Sequence, residues 1–181
     1  MPLADPSGAG APIILTALMG AEDFAWADGL RRAHFPAGRN VVPAHITLFH
    51  HLPPSLLPEL AARMKHICAA PPPLAIVNGV LLLGRGVAFD VRSDGLLEIW
   101  HELADAFTGL LTPQDQAHPR FHITVQNKVE PSAARALADS LKADFRTRPL
   151  KIAGLAAWHY REGGSWDLAK KASFRSARIL I

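Results

Sequence analysis

Two short segments of this chain share a composition suited to moving protons: Ala44-His45-Ile46-Thr47-Leu48 and Phe121-His122-Ile123-Thr124-Val125. Each reads histidine, apolar, threonine, apolar. Nine histidines and six threonines among 181 residues would produce His-x-Thr about 0.3 times by chance. Two copies with the same apolar partners therefore mark a paired feature. In a strand, alternate side chains share a face, so His45 and Thr47 project one way while Ile46 and Leu48 project the other. The same holds for His122 and Thr124 against Ile123 and Val125. One face can enter a core and the other can line a cleft. Two imidazoles with an ordinary pKa of about 6.5 can hold opposite protonation states near neutrality. One then takes a proton from a nucleophile while the other delivers one to a departing oxygen. The threonine hydroxyls can donate to the non-bridging oxygens of a phosphate as charge builds there. Such a set suits the opening of a cyclic phosphodiester by water, and that chemistry needs no metal.

The elements that must position this pair repeat along the chain. Ile13–Leu18 reads as a strand stopped by Gly20. Ala21–Phe35 reads as a helix, with Glu22 and Asp23 in its first turn and Arg31, Arg32 and His34 near its end. Val41–Leu48 is the strand expected to carry the first motif. Ser55–Cys68 sets Leu57, Leu60, Ala61, Met64 and Ile67 on one helical stripe, ended by Pro71-Pro72-Pro73. Leu74–Asn78, Val80–Leu83 and Val87–Val91 read as short antiparallel strands separated by Gly79 and by a Gly84-Arg85-Gly86 turn. A helix follows, with Leu96, Ile99, Trp100, Leu103, Phe107 and Leu110 on one face and Ser93 or Asp94 as its cap; Pro113 lies beyond it. Phe121–Val125 is the second motif strand, and a helix from Pro131 to about Phe145 turns Leu137, Ala138 and Leu141 inward. Leu150–Tyr160 and Trp166–Phe174 are expected as strands around Gly163-Gly164. The order strand, helix, strand, helix thus occurs twice. The expected class is α+β: a bilobal, pseudo-twofold arrangement of two mostly antiparallel sheets with flanking helices and a central cleft. Residues 1–11 read as a loose leader and residues 12–181 as one bilobal domain.

Composition narrows the partners. With 49% hydrophobic and 19% charged residues the chain is too apolar for disorder and too interrupted by charge for a membrane protein. Net charge is +3, but residues 1–119 carry −4 and residues 120–181 carry +7, so the C-terminal third suits an anionic ligand. The lone Cys68 excludes an internal disulfide and a multi-cysteine zinc site. No secretory signal pattern opens the sequence, and a cytoplasmic location is expected. His50-His51 lacks an HExxH frame, a neighbouring carboxylate or a cysteine pair, so a solvated loop is the expected reading rather than a metal site. Thr124 and Gln126 stand where a histidine-triad strand would need histidines. Gly84-Arg85-Gly86 is too short for a dinucleotide fingerprint. Arg120 is a candidate phosphate ligand. Tyr160, with Trp158, Trp166 and Phe174, could stack on a base, although core packing is expected for most of these rings. Arg161, Lys170, Lys171, Arg175 and Arg178 could form a basic rim or a solvated strand face.

The paired motifs, 77 residues apart, and the elements flanking them resemble the 2H phosphoesterase superfamily, in its 2′-5′ RNA ligase-like and cyclic phosphodiesterase branch. The resemblance runs from about Ile13 to Phe174. It implies the bilobal fold with a central cleft and hydrolysis of 2′,3′-cyclic phosphodiesters, usually to 2′-phosphates. In some members it implies reversible 2′-5′ joining of RNA ends. It carries over His45 and Thr47 from the first motif and His122 and Thr124 from the second as catalytic residues. A cyclic nucleotide or RNA terminus is the implied substrate, with no cofactor, no metal, no membrane and no obligate protein partner. The chain departs from many relatives in Phe49-His50-His51-Leu52-Pro53 after the first motif and in Gln126-Asn127 ahead of Lys128. His45 is expected as general acid on the 2′ side and His122 as base, an assignment the sequence leaves open. The alternatives are 2′-5′ RNA joining, ranked lower because no long arginine-rich insertion is present, and a non-catalytic RNA- or nucleotide-binding module.

Overall fold

Aliphatic and β-branched runs with two-residue alternation become strands at Ile13–Met19 (β1), Ile46–Leu52 (β2), Leu74–Leu82 (β3), Val87–Arg92 (β4), His122–Gln126 (β5), Arg148–Tyr160 (β6) and Trp166–Ser173 (β7). Helices form at Ala21–His34 (α1), Leu57–Cys68 (α2), Asp94–Ala106 (α3), Pro113–Gln116 (α4) and Pro131–Ala143 (α5). The computed structural model describes residues 10–176. Residues 1–9 of the expected leader, and Arg178 of the expected basic rim, lie outside the described residues.

Every strand pairing among the described residues is antiparallel. The order is β2-β1-β6-β3-β4-β5, with β7 also on β6. The two sheets expected from the repeat are therefore joined. Arg148–Lys151 of β6 pair with β3, and Ile152–Tyr160 continue along β1 and β7. Each motif strand lies at one end of this order, β2 beyond β1 and β5 beyond β4, as a pseudo-twofold requires.

The boundaries differ from expectation where proline and glycine act. Pro43 lacks an N–H and restrains Val42, so the ladder of the first motif strand starts at Ile46 rather than Val41. It then runs on through His50 and His51, which are strand residues and not a loop. Gly79 does not end a strand. It sits at a register shift within the continuous β3, where a residue without a side chain absorbs the bulge. Helix α3 is capped by Ser93, whose Oγ accepts from Leu96 N at 3.1 Å. It stops at Ala106, short of Leu110, because Gly109 turns to a φ of 85°.

The faces of the strands turned away from the cleft build the core. Ile46, Leu48, Ile123 and Val125 are all essentially sealed from solvent, each worth roughly 1.5–3 kcal/mol of transfer free energy. Behind β2, Trp100 of α3 stacks on Phe49 at 5.7 Å and donates its indole N–H to Leu48 O. Helix α1 crosses onto β5, α2 onto β6 and β7, and α5 onto β3 and β4. Buried Asp23 pins the start of α1, accepting from Arg148 and from Lys151 N at 2.8 Å each.

Candidate active site

The alternation expected of the motif strands is present in both. His122 and Thr124 are half-buried between buried Phe121, Ile123 and Val125. His45, one residue ahead of β2, and Thr47 are half-buried between buried Ala44, Ile46 and Leu48. Although β2 and β5 are the ends of the strand order, they come into contact. The sheet curls until its outer strands meet, and the ring of His45 senses the charge of His122.

The two imidazoles are held in the same way. Nδ1 of His45 donates to Pro43 O at 2.8 Å, and Nδ1 of His122 donates to Arg120 O at 2.7 Å. In each case the partner is the carbonyl two residues earlier. A carbonyl only accepts, so the Nδ1 proton is fixed and Nε2 is the nitrogen left to gain or lose one. Their surroundings differ. His45 lies 4.6 Å, centroid to centroid, from the ring of Trp166. Burial pushes its pKa down from 6.5 to about 4, with the charges of Arg31, His122 and His50 adding to the fall against the opposing carbonyl bond.

The sequence profile of the 2′-5′ RNA ligase superfamily matches residues 20–164. This chain belongs to that superfamily. Among solved structures it is similar to TT0787 of Thermus thermophilus, with a TM-score of 0.59 and 16% identity over 92% of this chain and 100% of that one. Escherichia coli LigT complexed with 3′-AMP gives 0.59 and 15% over 92% and 99%. A structure described as a phosphoesterase gives 0.52 and 17% over 92% and 99%. At such identities the likeness is one of fold, the α+β architecture of the 2H phosphoesterases. No curated protein matches this chain. Superfamily membership makes its activity one of the phosphoesterase and 2′-5′ RNA ligase type.

Around the paired motifs of this 2′-5′ RNA ligase superfamily chain stand residues that sequence spacing did not bring forward. Arg31, expected only as a helix-end charge, is buried beneath the site. Its Nε donates to Asn40 Oδ1 at 2.8 Å, its Nη1 donates to Thr124 O at 2.9 Å, and its guanidinium covers Phe35 at 4.3 Å. One cation thus ties α1 to the loop before the first motif and to the strand of the second. Asp115 of α4, also buried, accepts the backbone N–H groups of His50 and His51 at 2.8 Å each, with His50 Nδ1 at 3.2 Å. Burial alone would raise its pKa, but these donors outweigh it and hold the carboxyl below its usual range. Among the described residues, no cluster of three or more His, Cys, Asp or Glu side chains could hold a metal ion.

The flanks of the two motifs are chemically unlike. Leu18 of β1, one residue beyond the Ala17–Ile46 pair that ends the β1–β2 ladder, lines the same cavity as His45. At the second motif Asp90 stands across from His122. Buried Asp90 holds Arg92 at 3.0 Å and Arg120 at 3.6 Å, so the side chain of Arg120 is ion-paired at the second motif while remaining 67% exposed. Beside His45 lies a cavity of about 410 Å³. Trp158 and Trp166 line it rather than the core, whereas Phe174 packs against the core. Tyr160, across from Trp166 at the end of the β6–β7 hairpin, lies outside the lining of this cavity.

Proposed function

We propose that this protein hydrolyses 2′,3′-cyclic phosphodiesters of nucleotides or RNA ends to 2′-phosphates, with His45 and His122 as the acid–base pair. The observation that carries the reading is the mirrored tethering of the two rings, each Nδ1–H on the carbonyl two residues back, which leaves two Nε2 atoms to exchange protons. The low pKa of His45 supports the reverse of the roles expected from sequence: a ring neutral at pH 7 is a base. His45 Nε2 takes a proton from water as the water oxygen bonds to phosphorus. The bond from phosphorus to the ring oxygen on the far side breaks, and His122 Nε2 delivers a proton to that oxygen. Thr47 and Thr124 donate to the non-bridging oxygens, and Arg120 draws the anion toward the second motif. That Escherichia coli LigT has been crystallised with 3′-AMP and with NADP+ supports a nucleotide ligand.

The superfamily profile also supports joining, since an RNA 5′-hydroxyl in place of water would run the same proton transfers to a 2′-5′ bond. The test is incubation of the purified protein with nucleoside 2′,3′-cyclic phosphates in chelator, followed by identification of the product isomer. Turnover to the 2′-phosphate is expected, with His45→Ala and His122→Ala each falling about 10²–10⁴-fold while keeping their circular dichroism. Full activity in either variant overturns the assignment. Binding of cyclic phosphates without hydrolysis would make the protein a nucleotide-binding module instead.

A further inference from the structure

Past Thr47 the first motif strand carries two more imidazoles, His50 and His51, outside the acid–base pair. Its ladder with β1 is interrupted twice on the way to them. Leu15 faces Phe49 and Thr16 faces Thr47, so β2 advances two residues where β1 advances one. Ile13 faces Leu52, so β2 then advances three residues where β1 advances two. Each extra residue is a bulge, a device that re-aims side chains beside active sites. Strict alternation after Thr47 would turn Phe49 to the site and His50 to the core. The bulges exchange them: Leu48 and Phe49 are both buried, and His50 and His51 are both exposed ahead of buried Leu52. The face that opens with half-buried His45 and Thr47 therefore continues into His50 and His51.

The first of these rings is fixed. The Asp115 side chain is 1% exposed, accepts the backbone N–H groups of both histidines at 2.8 Å, and takes His50 Nδ1 at 3.2 Å, while the His50 side chain remains 45% exposed. The motif histidines rest on neutral carbonyls, whereas His50 rests on a carboxylate. With Nδ1–H held there, a proton on Nε2 makes that nitrogen a donor, and the carboxylate balances the charge. The charge of His50 reaches His45, so the ring belongs to the electrostatics of the site. Among the described residues these groups join no set of three or more metal-ligating side chains, and the ligand they suit is an anion. Three residues of strand, roughly 10 Å, separate His50 from Thr47, a span that calls for two phosphates rather than one.

We propose that His50 and His51 form a second anion site of the active centre, which takes a phosphate of the substrate other than the one that reacts. The inference rests on the hydrolytic reading above and adds a substrate class. The cyclic ester occupies the 2′ and 3′ oxygens, so the further phosphate is the one on the 5′ oxygen, as in a nucleotide phosphorylated at both ends of its ribose or in an RNA end with its preceding linkage.

The experiment is calorimetric titration with adenosine 2′-phosphate and adenosine 2′,5′-bisphosphate at a pH of about 6, where an ordinary imidazole is mostly charged. The bisphosphate should bind about tenfold more tightly, the gain that one added hydrogen bond to a charged group supplies. In His50→Gln that ratio should fall toward one, and in His51→Gln it should also fall. Both side chains are open to solvent, and circular dichroism checks that each variant keeps the fold. Equal affinity for the two ligands in the unaltered protein, or an unchanged ratio in both variants, overturns the second anion site. A ratio that falls only in Arg120→Gln overturns it too, since the 5′ phosphate then lies at the second motif. Because binding is read without turnover, failure of hydrolysis in the separate assay would overturn the catalytic reading while leaving the ratio to decide this site.

Discussion

At His45 the tether to Pro43 and the packing against Trp166 act in opposite directions on the proton. The carbonyl favours the charged ring, burial disfavours it, and burial prevails with help from nearby positive charge. If His45 is the base, kcat/KM should hold level as pH falls from 7 and decline only through about 4; a limb centred near 6.5 would assign the base elsewhere. Stability follows the same proton. In the folded chain His45 titrates at about 4, below its unfolded value of 6.5, so across that window the unfolded state binds more protons and stability declines as pH falls. Arg31 contributes to the depression, and Arg31→Met should move the acid limb of kcat/KM upward. The same change strands the side chain of Asn40 and the carbonyl of Thr124, a loss of about 1–3 kcal/mol measurable by urea unfolding. None of this was legible from spacing. Arg31 reads as a residue that balances a helix dipole, and only the crossing of α1 onto β5 carries it 93 residues along the chain to Thr124.

Elements place these side chains, and the edge strand β2 shows how. Among the described residues no strand lies beyond β2, so its outward N–H groups need acceptors. Asp115 supplies them at His50 and His51, and in doing so fastens the segment leading into β5 to the strand that carries the first motif. Asp115→Ala should destabilise the fold by about 1–3 kcal/mol, read as a lower denaturant midpoint. Because the carboxyl titrates below its unfolded range, its contribution is present above about pH 4 and is lost as pH falls through the folded value. Sequence periodicity located most elements to within a few residues: the Ser93 cap, Pro131 opening α5 and the Gly163-Gly164 hairpin are local signals that the fold obeys. It misplaced β2 because Pro43 removes a donor, and it split β3 because a glycine at a bulge and a glycine in a turn look alike in one dimension.

On the scale of the whole molecule, β6 is the shared member. It pairs with β3 on the side of the second motif and with β1 and β7 on the side of the first, so neither set of strands is complete without it. Thermal unfolding should accordingly be one cooperative transition seen alike by tryptophan fluorescence and far-ultraviolet circular dichroism; two separated transitions would show lobes that fold independently. The sequence alone determined what depends on neighbours along the chain: the alternation that puts histidine with threonine, the helix caps, the repeat of strand and helix, and through these the superfamily. Tertiary structure decided what depends on segments far apart. The curl that brings β2 into contact with β5, the buried cation and carboxylate beside them, and the unlike flanks of two like histidines arise from packing. Burial and distance, which set proton affinities and shape a cavity, are properties of the folded surface and have no counterpart in the order of residues.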